Sequence, residues 1–132
     1  MRYAAAMDDA MAQQLTLLVQ SWPGGAWSWD GRFATAGSSF ALALEPQARD
    51  SAVHALTRGW TAKTLDEAPA SLRAICDRTG GLRAGQRLLA GASDELFGLW
   101  WPWGGGATIT LRIGLAAAVP ETTQRFRTLF RL

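Results

Sequence analysis

The 132-residue sequence predicts an α+β fold: a single domain with a central antiparallel sheet of about five or six strands, flanked by three or four helices. Three observations predict it. In residues 95–115, ELFGLWWPWGGGATITLRIGL, the residues Ala107, Ile109, Leu111, Ile113 and Leu115 alternate with Thr108, Thr110, Arg112 and Gly114. A strand with one buried face requires that period of two. Second, Asp30-Gly31 stands between two β-prone runs, and such a pair suits the positive φ angles of a tight hairpin. Third, Ala4, Met7, Met11, Leu15 and Leu18 recur at spacings of three and four, which makes one apolar stripe on a helix.

Taken in order, residues 3–20 read as the first helix, with Asp8 and Asp9 near the positive end of its dipole. Pro23, Gly24 and Gly25 end it. A short strand at 26–29 and a second strand from Arg32 flank the Asp-Gly turn. Gly37, Ser38 and Ser39 punctuate the chain, and Phe40, Leu42 and Leu44 then alternate with alanines as a third strand. Pro46 opens a second helix after Glu45, with Val53, Leu56 and Trp60 on its stripe. A further helical segment spans 66–79, where Leu72, Ile75, Cys76 and Thr79 share a face and Arg73 can pair with Asp77; Gly80 and Gly81 stop it. Residues 86–90 form a short strand. The hairpin follows, with Pro102 expected to stop its first strand from pairing further. Pro120 and Glu121 begin a last helix, which carries Phe126, Leu129 and Phe130 on one side and Arg125, Arg127 and Arg131 on the others.

A chain of this length, 48% hydrophobic, buries a core without disulfides or metals. The single Cys76 forms no internal disulfide, no signal-peptide pattern is present, and nothing approaches the roughly 18 apolar residues of a membrane span. We therefore expect a cytoplasmic protein with no integral membrane segment. The net charge is +2, and most of the arginines are spread along the chain with acids between them. That pattern is not a nucleic-acid footprint, which needs clustered cations.

Reactive chemistry is sparse. Cys76 and His54 could make a thiolate–imidazole pair, but Cys76 falls on the apolar stripe of its helix and nothing marks a third residue to orient His54. One Cys and one His do not close a zinc site of the usual kind. The acidic doublets Asp8-Asp9, Asp66-Glu67 and Asp94-Glu95 point their members in different directions. The glycine runs match neither a phosphate loop nor a dinucleotide fingerprint. We assign no catalytic residue, no cofactor and no metal.

Seven tryptophans are the unusual feature. Trp27 and Trp29 share one strand face, and Trp101 and Trp103 share another if extension survives Pro102. Exposed, such rings serve as interface anchors, a sugar platform or a membrane belt; buried, they are core. Nothing polar is arranged to orient a sugar, so we take Trp27, Trp29, Trp101, Trp103, Phe126, Phe130 and Arg127 as candidate protein-interface residues.

The segments PGGAWSWDGRFATAG at 23–37 and LFGLWWPWGGGATITLRIGL at 96–115 resemble the first hairpin and the later strand, proline and glycine turn of the roadblock/dynein light chain family. The region between them departs from that family, with an extra strand and a divided helical stretch. The resemblance implies a homodimeric adaptor, paired through sheet or helix, that binds small GTPases or scaffold components and catalyses nothing. DGRFATAGSSFALALEP is also similar to the meander of class I type III secretion chaperones, which are typically acidic, as this chain is not. The expected function is thus a non-enzymatic protein-interaction module. A chaperone-like or toxin-inhibiting binding protein is the alternative, and a small enzyme or ligand-binding domain with a Trp-lined cleft is the contrasting class.

Overall fold

The computed structural model describes residues 7–117 and 119–132. Ten regular elements follow one another: α1 (Asp9–Ser21), β1 (Ser28–Asp30), β2 (Thr35–Ala41), α2 (Glu45–Ala52), β3 (Arg58–Thr61), α3 (Ala70–Arg78), β4 (Arg87–Ala90), β5 (Leu96–Trp103), β6 (Thr108–Leu115) and α4 (Pro120–Leu129). The strands form one antiparallel sheet in the order β1-β2-β6-β5-β4-β3. The predicted α+β class is the observed one.

The hairpin of β5 and β6 is the middle of the sheet, and the side-chain period sorts its residues between two cores. Ile109, Leu111, Ile113, Leu115, Leu96 and Trp100 point to the side covered by α1, α2 and α4. Phe97, Leu99 and Trp101 point the other way, where α3 brings Leu72, Ile75 and Cys76 against them. Because β5 is buried on both faces from Leu96 to Trp101, its sequence is an unbroken apolar run, whereas β6 alternates. Gly98 and Gly114 lie in this hairpin because neighbours occupy the space a side chain would need. A Cβ on Gly98 would stand 2.8 Å from Leu56, and one on Gly114 2.7 Å from the Phe97 ring.

Several boundaries differ from the sequence reading. β5 does not stop at Pro102 but runs to Trp103, with Pro102 opposite Ile109. β4 begins at Arg87, opposite Trp100, so at Pro102 the strand has one neighbour and the missing N–H is tolerated. Gly37, Ser38 and Ser39 do not interrupt the chain: β2 runs through them, in register with Leu111 and its neighbours on β6, and the expected third strand at 40–44 is the end of β2 followed by a 3-10 turn. α2 ends at Ala52, and Trp60 belongs to edge strand β3. The hairpin turn after Asp30 is longer than two residues and puts Ala34, not Gly31, at positive φ (54°). Arg73 does not reach Asp77; it donates to the Ala68 carbonyl (2.7 Å) and the Asp66 carbonyl (3.1 Å).

The helix signals are local and hold. Asp8 caps α1 by accepting from the Met11 N–H at 2.8 Å. Met7, Met11, Leu15 and Leu18 are buried as the stripe predicts, while Ala4 and the first turn of the expected helix lie outside the described residues. Gly80 and Gly81, both at positive φ, cap α3, with the Gly81 N–H on the Cys76 carbonyl at 2.7 Å.

Candidate protein interface

Among the described residues three helices cover one face of the sheet, and the other face carries only α3, which lies over β4 and β5. Among the described residues, the part of that face formed by β1, β2 beyond Thr35, β6 and the end of β5 has no helix on it. Ser39, Thr110, Arg112 and Trp103 line it. Trp103 is 51% exposed, the ring packs edge-on against Trp101 at 6.3 Å, and its Nε1–H donates to Thr110 Oγ1 at 2.9 Å. Thr110 in turn shares a hydrogen bond with Ser39 at 2.7 Å. Arg112 holds the Asp30 carboxylate at 3.1 Å and stacks on Trp101 at 5.5 Å. A hydrogen-bonded strip with one presented indole is thus fixed on rigid strands.

Three buried polar atoms without a hydrogen-bond partner belong to this same face: Trp101 Nε1, Arg112 Nε and Thr35 Oγ1. Buried polar groups are normally paired. Their gathering on one sheet face marks it as the part of the fold least satisfied by the chain itself.

The other expected interface residues have different fates. Phe126 and Phe130 are 1% and 3% exposed, because they are the apolar stripe by which α4 packs on the sheet; they present no surface to a partner. Trp27 and Trp29 are half-buried against those same rings, with Trp27 4.8 Å from Phe130 and Trp29 6.3 Å from Phe126. Arg127 lies over Trp29 at 4.7 Å. Trp101 is 8% exposed, so Trp103 alone of the seven tryptophans is an exposed ring. The rings also divide between faces: Trp22, Trp27, Trp29 and Trp100 go with the three-helix core, Trp60 and Trp101 with the α3 core. They do not line one cleft. No periodicity separates an indole that packs from one that is presented; only the ends of β4 and α3 decide it.

A second surface lies at the far edge. Among the described residues β3 pairs only with β4, and its outer side faces no strand. Beside it, on the three-helix face, Val53 (57% exposed), Leu56, Leu89 and Trp100 form an apolar groove of about 190 Å³, flanked by Arg49 and Arg87. The sequence puts Val53 and Leu56 on one apolar helical stripe; α2 ends at Ala52 and leaves Val53 exposed.

The reactive candidates do not converge. Cys76 is fully buried on the sheet-facing side of α3, and burial, reinforced by the neighbouring Asp77 charge, pushes its thiol from 9.0 up to about 11. His54 is exposed on the turn after α2, on the opposite side of the sheet. Asp8 caps α1, Asp9 pairs with Arg125 at 3.0 Å and Asp94 with Arg58 at 2.7 Å, which accounts for members of two acidic doublets as structural charges. Among the described residues no group of three His, Cys, Asp or Glu is placed to hold a metal, and no helix is long and apolar enough to cross a membrane. No protein family, curated protein or solved structure matches the chain.

Proposed function

We propose that the chain is a non-enzymatic protein-interaction module, a homodimer built through the β3 edge that carries the Trp103 face outward to a second protein. The observation that carries the reading is the unpaired edge strand lying beside an uncovered apolar groove. A lone edge strand with apolar surface at its side is a template for pairing, which proteins either defend or use. Pairing β3 with its two-fold copy extends the sheet across the dimer and sets the two Val53 grooves side by side, so the same patch closes on itself as an isologous interface demands. The adaptor character implied by the roadblock resemblance agrees with this arrangement. In the dimer both Trp103 faces remain open, and an indole held by a fixed hydrogen bond is the kind of anchor that dominates interfaces.

The buried, protonated thiol of Cys76 and its separation from His54 favour binding over nucleophilic chemistry. Val53→Glu tests the dimer. Because Val53 is already exposed, the variant keeps its fold, and two introduced carboxylates facing each other across the two-fold separate the copies. A dimer that persists unchanged in Val53→Glu places the contact elsewhere.

A further inference from the structure

Between α3 and the turn that joins β1 to β2 lies a cavity of about 380 Å³. That volume is within the range of small-molecule sites, roughly 300–1,000 Å³. Its floor is apolar: Ile75 from α3, and Phe97 and Leu99 from β5, all essentially buried. Two arginines, Arg32 and Arg78, stand at its rim. Arg78 takes part in no ion pair among the described residues, and Arg32, 76% exposed in its side chain, stacks over the Phe33 ring at 4.4 Å and has Asp30 at 4.0 Å. Asp30 itself is engaged by Arg112 at 3.1 Å and by the Arg32 N–H at 2.9 Å, so it leaves the rim cationic.

A buried, unpartnered donor in its wall turns this cavity from a packing defect into a site. Thr35 is fully buried in its wall, and its hydroxyl has no partner. Ala36 faces the opposite core, so the alternation of β2 aims the Thr35 side chain to the cavity side. The other polar side chain in the wall, Thr79, is already committed, its hydroxyl donating to the Ile75 carbonyl at 3.1 Å. In the same wall Ala34 sits at φ 54°, a conformation uncommon for a non-glycine residue. The next residue thus carries the unpaired hydroxyl.

From these contacts we infer that the cavity binds a small amphipathic carboxylate, its apolar body on Phe97, Leu99 and Ile75 and its carboxylate between Thr35 Oγ1–H and the Arg32 and Arg78 guanidiniums. The apolar floor alone would take a neutral ligand, and the arginines alone any anion. The buried donor between them selects a molecule with both parts. The site is separate from the β3 edge and does not rest on the dimer reading.

The test titrates octanoate into the ¹⁵N-labelled full chain and follows the amides of Ala34, Thr35, Thr79 and Phe97. Octan-1-ol supplies the same chain without charge, and inorganic phosphate the charge without the chain. Octanoate is expected to shift these amides saturably, octanol to bind at least about threefold more weakly, and phosphate not to saturate. Arg78→Gln and Arg32→Gln each weaken octanoate about threefold, the scale of exposed charge contacts. Thr35→Val, which keeps the shape and removes the donor, weakens it about tenfold, the scale of a hydrogen bond to a charged group. No saturable shift, shifts scattered over other surfaces, equal binding of octanol, or full affinity in Thr35→Val would each overturn the assignment.

Discussion

Thr35 is a residue at which stability and binding are opposed. Its hydroxyl is buried and unpaired, and such a group costs roughly 1–3 kcal/mol relative to an apolar isostere. Thr35→Val is therefore expected to raise the unfolding free energy measured in urea by about 1 kcal/mol, while it weakens octanoate. A loss of stability of that size would show that the hydroxyl is satisfied in solution. Cys76 gives a second prediction at this scale. Burial raises its thiol to about 11 from 9.0, so below pH 9 the folded and unfolded chains are both protonated there and nothing is gained or lost. Between about 9 and 11 the unfolded chain releases the proton and the folded chain keeps it, so stability falls as pH rises through that window. Urea melts at pH 8 and pH 10 should show a drop that Cys76→Ala largely removes; an equal drop in both proteins would assign it to other groups. Gly114 gives a third. Gly114→Ala sets a Cβ 2.7 Å from the Phe97 ring, and the displacement of that ring should cost about 1–3 kcal/mol in a denaturant melt.

At the scale of elements, the sequence is legible wherever a local pattern and a local cap agree. The α1 stripe, Asp8 as its cap, the strict alternation of β6, the start of α4 at Pro120 and the glycine stop of α3 are all of this kind. Asp8→Ala should accordingly cost about 1 kcal/mol of stability, measured by thermal or urea denaturation, through the lost bond to the Met11 N–H. What was not legible depended on neighbours distant in sequence. Gly37, Ser38 and Ser39 look like a turn, but β6 holds them extended between Leu111 and its flanking residues. Pro102 looks like a stop, and whether it is one depends on where β4 begins. Trp60 fits a helical stripe until β4 claims it as an edge strand. The candidate site follows the same division. Seven tryptophans announce an aromatic-rich protein, yet that Trp103 is presented while Phe126 and Phe130 are core follows from the layer order of α4 and α3.

The whole molecule is an asymmetric sandwich: three helices complete one face of the sheet and one helix half-covers the other. Two kinds of unfinished surface result, a polar strip with a fixed indole and an unpaired edge with an apolar groove. The proposed function assigns them different tasks, self-pairing to the edge and partner binding to the strip. The two are separable, because Val53 and Trp103 lie on opposite faces of the sheet. The measurement that bears most directly on this account is the solution mass of the full chain by light scattering across a dilution series, for the natural sequence and for Val53→Glu. Twice the chain mass is expected for the first and the chain mass for the second, with unchanged far-UV circular dichroism. A natural chain that stays monomeric at every concentration, or a Val53→Glu chain that stays dimeric, would contradict it.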